Sequence, residues 1–554
     1  MSSASAATAP DPYDAKPSFV QRHAKQIAAL VVGVLTVVLA VFSFPPYDMP
    51  QFAYAMLVPG VYWAYTRPSL KLYASTILVA QAVAWTIMLG WLHHVTWVGL
   101  FLLGPFVGVW VGVWYLAAWW MVPRMVGQPT LLRLLALLGL SGVWVVIEWT
   151  RTWILGGFPW LPLAASQWKM VSMIQIAGYT GAVGVSFVVV AVNLGFAAYA
   201  QRLFREGAKG LNKRSQEFFL ALFLVLTCFS IELQETYNRA RYAVPLARVA
   251  FVQPYIPQDV KWDPAKAPEI FSTIERLTLT AASTNPELIL WPEAVTPLAL
   301  RGDGSVKEWT ESLVKRARTP LVLGSLGFER AGQPTEKWFN GVFVVTPTGG
   351  LESDYYAKRH LVPFGEYVPL RPVLGWLKKF VPIGDDDPMW GVDSSPLLVR
   401  LHDQPVVLGP LICYEDVFPE LARLSAAAGS DALVVVTNNA WFGEGGAAVQ
   451  HAAHSVLRAI ETRRPVLRCG NGGWSGWIDE FGVVRSNLTN ETGSIFFRGT
   501  ATVDVTRDRR WIGQKSFYVE HGDWFVFVSA AVAMLAVALL RVAPARPAPA
   551  ENEA

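Results

Sequence analysis

An apolar run that ends in a thiol occupies residues 405–415, which read PVVLGPLICYE. The run is short and charged residues follow it, which is typical of a buried strand in a layered α/β fold. Such folds place their active sites at the ends of strands. The sequence therefore predicts that Cys413 stands at the edge of a buried sheet, where it can act as a nucleophile.

Two other segments place a reactive group after an apolar strand. Residues 288–293 (LILWPE) lead to Glu293, and Lys358 ends a predicted strand and precedes residues 359–366 (RHLVPFGE). A thiol must lose its proton before it attacks a carbonyl. A carboxylate can take that proton, and an ammonium can stabilise the thiolate and the oxyanion that follows. Each residue alone fits a structural role, but the three motifs together favour a catalytic one.

The three motifs lie in a region, about 245–515, in which strand-like and helix-like segments alternate. This alternation, with buried apolar strands, predicts a layered α/β domain. The predicted strands cover residues 247–253, 287–291, 320–326, 340–346, 351–357, 405–412, 432–437, 465–469 and 473–478. The predicted helices cover residues 265–283, 305–317, 416–428 and 448–462.

The chain as a whole has the composition of a membrane protein. Of its 554 residues, 53% are hydrophobic and 16% are charged, whereas a soluble domain has about a quarter charged residues. Seven apolar runs are long enough to cross a bilayer, and they occupy residues 26–44, 72–92, 97–122, 131–149, 171–200, 217–233 and 524–542. An eighth run, near residues 51–65, is short and contains Pro59, but a kinked helix that packs among its neighbours tolerates proline. We therefore expect about eight transmembrane helices.

The basic residues predict how this bundle is oriented. If the N-terminus is cytoplasmic, twelve Lys and Arg residues lie in the cytoplasmic segments, whereas the outer loops hold only Arg151 and Lys169. Seven crossings then place the α/β domain outside the cytoplasm. The expected order is a disordered start (1–25), about seven transmembrane helices (26–244), an extracytoplasmic catalytic domain (245–515), a last transmembrane helix (516–542) and a cytoplasmic tail (543–554).

Charge and cysteine content argue against several other classes. The net charge is only +4, and no block of Lys and Arg alternates with exposed aromatics, so we expect no nucleic-acid partner. Three cysteines cannot form a disulfide framework for so long a chain, and we interpret Cys469 as structural. His451 and His454 have no third ligand nearby, so we expect no metal and assign them to the surface or core of a helix.

The three motifs resemble the nitrilase superfamily, whose Glu-Lys-Cys triad is carried on segments like WPE, the Lys before HLVPFGE, and ICYE. Within that superfamily, the eight-span arrangement is similar to the apolipoprotein N-acyltransferases. The same similarity holds for residues 148–151 (EWTR), which lead to 157–160 (GFPW), and for residues 437–443 (TNNAWFG). The resemblance implies a four-layer α-β-β-α domain beside the membrane helices.

The resemblance also implies a reaction and its residues. An acyl group would pass from a phospholipid to Cys413, as a thioester, and then to the N-terminal amine of a diacylglyceryl-cysteine lipoprotein. By position, Glu293 would be the general base and Lys358 the oxyanion stabiliser. Neither a metal nor an organic cofactor is required. Three further residues match positions that support the site in the family: Glu366, Tyr414 and Glu415.

Substrate contacts are predicted less directly. Trp376 and Phe380 lie in the segment 370–391, where apolar residues stand beside lysines, as in a loop that meets lipid; a buried helix is the alternative. The family often carries Asp where this chain has Asn439, and residues 469–473 (CGNGG) also depart from its pattern. The candidates for substrate contact are Trp262, Asn439, Trp441, Phe442, Trp376 and Phe380.

Two alternatives to acyl transfer remain open from the sequence. A membrane-tethered amidase or hydrolase would use the same residues with water as the acceptor, but eight spans exceed what tethering needs. An inactive scaffold or transporter-like protein would not need an intact triad, and the central spans lack the paired charges that are usual in a transport path.

Overall fold

The computed structural model describes residues 19–210, 215–237, 239–376, 388–401 and 404–544. A bundle of helices is formed by the N-terminal part of the chain together with the last helix. A sandwich of two β-sheets lies at one end of this bundle. The predicted fold class, a membrane bundle with an α/β sandwich, is confirmed.

Seven described helices are long and apolar enough to cross a membrane, namely α1, α4, α5, α6, α9, α10 and α19. The described helices of four or more residues are, in chain order, α1 (Phe19–Ser43), α2 (Pro50–Ala53), α3 (Val58–Tyr65), α4 (Leu70–Met88), α5 (Trp97–Met125), α6 (Thr130–Thr150), α7 (Val171–Ile174), α8 (Ala177–Thr180), α9 (Ala182–Gly210), α10 (Gln216–Thr236), α11 (Arg239–Tyr242), α12 (Gln258–Lys261), α13 (Ala267–Ala282), α14 (Gly304–Ala317), α15 (Arg371–Leu374), α16 (Pro419–Ala427), α17 (Ala447–Thr462), α18 (Phe517–His521) and α19 (Trp524–Val542). Short 3-10 turns lie between several of them.

The predicted span over residues 171–200 is not one helix. α7 and α8 are single turns, and only α9 is long enough to cross a membrane. Gly181 separates α8 from α9 with a φ of 71°, a conformation that residues with a side chain rarely adopt. Hydropathy does not reveal this break, because the segments on both sides of it are apolar.

The eighth predicted span, near residues 51–65, consists of the two short helices α2 and α3. They lead the chain from one end of the bundle to the other. Before them, the Pro45 carbonyl accepts a hydrogen bond from Gln450 of the sandwich at 3.0 Å. After them, the Arg67 guanidinium donates to the Pro123 carbonyl near the far end of α5 at 3.4 Å. The chain therefore passes through the bundle here, although no single helix spans it.

The bundle has a charged end that faces away from the sandwich. Arg133 and Arg202 both pair with Glu217 there, at 2.6 and 3.3 Å. At the sandwich end, Lys169 pairs with Asp48 in a neighbouring loop at 2.7 Å. The predicted orientation depends on an uneven distribution of basic residues along the sequence. In the structure, Arg133 and Arg202 of that set lie at the end of the bundle away from the sandwich, and Lys169 lies at the sandwich end.

Two six-stranded sheets form the sandwich, in the orders β12-β1-β2-β3-β4-β5 and β11-β10-β9-β8-β7-β6. Strands β1 to β3 and β7 to β9 run parallel to their neighbours within each set. The strands are β1 (Ala243–Gln253), β2 (Leu288–Leu290), β3 (Leu321–Glu329), β4 (Lys337–Thr346), β5 (Gly350–Ala357), β6 (Leu397–Leu401), β7 (Gln404–Ile412), β8 (Ala432–Asn438), β9 (Val466–Asn471), β10 (Gly476–Ile478), β11 (Val484–Asn487) and β12 (Gly499–Asp508).

Three of these strands, β6, β11 and β12, lie outside the predicted ones. All three are edge strands. An edge strand is paired on one side only and tolerates polar residues, so β11 and β12 lack the continuous apolar run by which the central strands are recognised. The apolar run of β6 is only five residues long and is interrupted by Arg400.

The sandwich has four layers. Phe251 and Leu290 of the first sheet and Leu408 and Val434 of the second belong to one buried apolar cluster between the sheets. Helices α13 and α14 cover the outer face of the first sheet, and α16 and α17 cover that of the second. The order α-β-β-α is the one that the resemblance implied.

The helix layer of the second sheet attaches the sandwich to the bundle. Gln450 of α17 is buried, and its amide donates to the carbonyls of Pro45 and Met88, both at 3.0 Å. The oxygen of the same amide accepts hydrogen bonds from the indole N–H groups of Trp91 and Trp160, both at 2.9 Å. One side chain therefore joins the sandwich to three separate segments of the bundle.

Candidate active site

Cys413 lies where β7 ends and a short 3-10 turn, Cys413–Val417, begins. Its φ is 52°, in the left-handed region, which costs free energy for a residue with a side chain. The buried structure around it must hold this conformation. The sharp turn directs the thiol away from the strand, as the sequence predicted for a nucleophile at a sheet edge.

Glu415 is the main support of this turn. Its fully buried carboxylate accepts hydrogen bonds from the backbone N–H of Ile412 at 2.7 Å and from the hydroxyl of Tyr356 at 2.8 Å. It also accepts from the backbone N–H groups of Arg359 and His360, at 2.6 and 3.0 Å. Burial raises the pKa of Glu415, while these donors favour its charged form. The carboxylate thus fixes the segment after the candidate lysine to the turn that carries the thiol.

Lys358 follows β5 and is buried, with 1% of its surface exposed. Its ammonium nitrogen lies 2.8 Å from Glu366 Oε1 and 3.7 Å from Glu293 Oε1. The other oxygen of Glu366 accepts from the Val362 N–H at 2.8 Å. Burial alone would lower the pKa of Lys358, but the two carboxylates hold it above its usual value. This lysine therefore keeps its positive charge inside the site.

Glu293 follows β2 and the Trp291–Pro292 pair. Asn340 of β4 donates from its side-chain amide to Glu293 Oε1 at 2.7 Å, and its backbone oxygen accepts from the N–H of Lys358 at 2.8 Å. One asparagine therefore positions both candidate groups. A Cβ at Gly324 would lie 2.6 Å from the Glu293 Cα, so only glycine allows β3 to approach this closely.

The thiol of Cys413 is buried beside these groups. Burial, and next the charge of Glu293, raise its pKa to about 12, while Lys358 and a hydrogen bond from Thr437 act in the opposite direction. The Thr437 hydroxyl lies 3.4 Å from the sulfur. A thiol in this state is unreactive until a base takes its proton and a cation stabilises the sulfur anion. The arrangement supplies a carboxylate and an ammonium for these two tasks.

A buried polar cluster lies beneath the turn. His451 of α17 approaches the Cys413 carbonyl at 3.1 Å through Nε2 and the Asn439 side-chain oxygen at 3.1 Å through Nδ1. The same Nε2 lies 2.7 Å from Asp416, which also pairs with Arg468 at 2.5 Å. The expectation that His451 lies on the surface or in the core of a helix is therefore resolved in favour of the core. The described residues contain no group of three or more His, Cys, Asp or Glu suited to a metal ion.

Tyr414 points toward the bundle. Its hydroxyl donates to the Gly157 carbonyl at 2.9 Å, and its ring packs against Phe418 and Phe158. The predicted support of the site by Tyr414 would therefore act through the contact between sandwich and bundle. Phe442 also contacts the bundle, because the centroid of its ring lies 4.5 Å from that of Trp91.

The other candidates for substrate contact are spread around the site. Asn439 is buried and bonded to His451, whereas Trp441 and Trp262 are 40% and 45% exposed. Trp376 is exposed and follows α15, and Phe380 lies outside the described residues. Their contact with substrate stays a prediction.

Several residues of the site were not found from the sequence. Asn340 interrupts an apolar strand, which is a signal that could have identified it. Lys261 is buried next to Glu293, although a lone lysine before Trp262 reads as a surface charge. Cys469, in contrast, has the structural place that was predicted, because its buried thiol contacts the carbonyls of Val252 and Leu290.

Comparison with known proteins assigns this architecture to a family. Residues 37–195 match the apolipoprotein N-acyltransferase N-terminal domain, and residues 248–512 match the carbon-nitrogen hydrolase domain. An apolipoprotein N-acyltransferase of Geobacter metallireducens is 34% identical over 414 residues, which make up 71% of this chain and 73% of that protein. The chain belongs to the apolipoprotein N-acyltransferase family.

Membership in this family makes the chain an acyltransferase with a carbon-nitrogen hydrolase domain, and it confirms the resemblance. A relative from Pseudomonas aeruginosa is 32% identical over 349 residues, which cover 62% of this chain and 64% of that protein. Among solved structures, an amidase from Nesterenkonia sp. is 18% identical and has a TM-score of 0.35, over 48% of this chain and 92% of that chain.

Proposed function

We propose that this acyltransferase moves a fatty acyl group from a membrane phospholipid to the N-terminal amine of a diacylglyceryl-cysteine lipoprotein, through a thioester on Cys413. One observation carries the proposal. Glu293, Lys358 and Cys413 come from three separate strands and form one buried, charge-coupled cluster beside a membrane bundle. The names of the relatives support the choice of a lipoprotein as acceptor.

In the first half-reaction, the Cys413 thiol gives its proton to the Glu293 carboxylate, and the sulfur attacks the ester carbonyl of the phospholipid. Lys358 stabilises the sulfur anion and the oxyanion of the tetrahedral intermediate. When the intermediate collapses, the ester C–O bond breaks and the leaving lysophospholipid oxygen takes the proton from Glu293. The acyl group remains on the sulfur.

In the second half-reaction, the amine of the acceptor attacks the thioester carbonyl. Glu293 takes the proton that the amine loses, the C–S bond breaks, and the proton then restores the thiol of Cys413. Only 9% of Cys413 is exposed, so water has little access to the thioester.

We also propose that the sandwich lies on the outer side of the cytoplasmic membrane. The supporting observation is the charged end of the bundle, where Arg133 and Arg202 lie, because basic residues are retained on the cytoplasmic side. A reporter that is active only outside the cytoplasm should work when fused after Leu300 and should be silent when fused after Gly127. The reverse result would contradict this orientation.

The covalent intermediate provides the test of the reaction. The full chain, incubated with acyl-labelled phospholipid and no acceptor, should acquire a label that hydroxylamine removes. Cys413→Ala should abolish this label, and the matched control Cys469→Ala should retain it. Glu293→Gln and Lys358→Ala should each slow labelling on the order of 10²-fold, because the thiol loses its base or its cation.

The acceptor decides between transfer and hydrolysis. A diacylated lipopeptide should remove the label and gain the acyl chain on its amine, as detected by mass analysis. Release of free fatty acid instead would indicate a hydrolase. Labelling that persists in Cys413→Ala would contradict the assignment of the nucleophile.

A further inference from the structure

A second lysine is buried in the candidate active site. Lys261 ends α12, and only 1% of its surface is exposed. Its ammonium can donate three hydrogen bonds. Within the described part of the chain, the one hydrogen bond it makes is to the backbone oxygen of Glu293, at 3.4 Å. The ring of Trp262 lies 5.3 Å away, on one side of the ammonium. A buried ammonium with so few partners is costly unless it serves a charged neighbour.

The two lysines of the site differ in how their charges are balanced. Lys358 has two carboxylates, Glu366 at 2.8 Å and Glu293 at 3.7 Å. Lys261 has no carboxylate within ion-pair distance among the described residues, although its charge is coupled to those of Glu293 and Cys413. When Glu293 has taken the proton of the thiol, it is neutral, and Lys358 is still neutralised by Glu366. Lys261 then adds a second positive charge, which no carboxylate among the described residues neutralises and which is coupled to the Cys413 sulfur.

The coupling between Lys261 and Cys413 acts in both directions. Burial lowers the pKa of Lys261 to about 8, and the charges of Glu293 and Cys413 oppose this effect. If the sulfur anion favours the charged lysine, the charged lysine must favour the sulfur anion to the same extent. At neutral pH most Lys261 side chains carry the charge.

We propose that Lys261 is a second cation of the active site, which stabilises the negative charge that develops on the Cys413 sulfur and on the acyl oxygen during acyl transfer. Lys261 exchanges no proton in this step. The thiol proton still goes to Glu293 and from there to the leaving oxygen. The inference rests on the proposed function, because this charge arises only if Cys413 is the nucleophile.

The test measures the rate of hydroxylamine-sensitive labelling by acyl-labelled phospholipid, without acceptor, between pH 6 and 9.5. Lys261→Met should lower this rate on the order of 10²-fold, because a buried positive charge that is coupled to the Cys413 sulfur is lost. Lys261→Arg should recover most of the rate. The matched control Lys266→Met removes an exposed lysine five positions later, and it should label as the wild type does.

The pH dependence of the labelling rate shows whether Lys261 acts through its charge or only through its packing. The wild-type rate should fall as the pH rises above about 8, where Lys261 loses its proton, and Lys261→Arg should shift this fall to higher pH. The inference would be overturned if Lys261→Met were labelled at the wild-type rate. It would also be overturned if Lys261→Arg were labelled as slowly as Lys261→Met and its rate fell at the same pH as that of the wild type. Should Lys261→Met fail to fold, a wild-type profile with no fall up to pH 9.5 would still contradict it.

Failure of the proposed function gives a different result. In that case either the wild type acquires no label, or the label persists in Cys413→Ala, whatever the residue at position 261. If labelling depends on Cys413 but is insensitive to Lys261, only the inference about the second cation is wrong.

Discussion

The two helix layers of the sandwich are covered differently. Fifteen of the sixteen residues of α17 are buried, whereas six of the sixteen residues of α13 are buried. The outer face of α13 meets solvent, and the outer face of α17 meets the membrane bundle. Both helices pack on a β-sheet with their inner faces. The outer face of α13 is a polar surface, whereas the outer face of α17 forms a second interface.

This difference changes what the polar residues of each layer do. On α13, Glu275 pairs with Arg316 of α14 at 2.8 Å on the surface, where solvent screens the pair. On α17, Arg458 pairs with Glu461 at 2.6 Å, and both are fully buried. Buried charges must be paired, because removing one partner leaves the other without water. The α17 layer thus contains buried polar contacts at the interface between the sandwich and the bundle.

The largest expected effect is at Asp416, which lies between the candidate nucleophile and α17. Asp416→Ala leaves the buried Arg468 without its carboxylate, so the free energy of unfolding should fall by about 3–5 kcal/mol. Burial would raise the pKa of Asp416, but His451 and Arg468 hold it below its usual value. Its contribution to stability is therefore present above the usual carboxyl pKa and lost as the pH falls through the lower, folded-state pKa. Unfolding of the full chain in detergent, measured against pH, checks both statements.

The control is the corresponding acid of the solvent-facing layer. Glu275→Ala removes a surface ion pair and should cost about 0–1 kcal/mol. If Asp416→Ala and Glu275→Ala lowered the free energy of unfolding by comparable amounts, ion pairs on the buried side of the sandwich would not differ in strength from those on the solvent-exposed side.

A smaller effect is expected at the contact between α17 and the bundle. Gln450→Leu keeps the approximate size of the side chain but leaves two indole N–H groups and two carbonyls without partners. The expected loss in the free energy of unfolding is about 2–3 kcal/mol, and proteolysis of the loops between sandwich and bundle should become faster.

Thr280→Val on α13 serves as the control for this change. Thr280 is exposed, and its hydroxyl donates to the Arg276 carbonyl of its own helix, its one hydrogen bond within the described ranges, so the substitution should change stability by less than about 0.5 kcal/mol. Unchanged proteolysis in Gln450→Leu would contradict a role of this residue in joining the two parts of the molecule.

The candidate site was predicted as far as its residues stand in local motifs. Each member of the triad follows a strand within a short, recognisable segment, so its position could be deduced from neighbours in the sequence. Lys261 and His451 could not be deduced in this way, and the signal of Asn340 was only that of a polar residue within an apolar strand. All three reach the site from other strands and helices, and their partners are tens of residues away in the chain.

The sequence by itself determined the class of the protein: apolar runs that form a bundle, alternating strands and helices that form a sandwich, and three reactive groups at strand ends. Hydropathy and strand periodicity are local properties, so they can be read from consecutive residues. Only the tertiary structure decided that α2 and α3 replace one spanning helix and that edge strands complete both sheets. It also decided that α17 is buried on both faces, because a polar helix face looks the same in sequence whether water or another domain covers it.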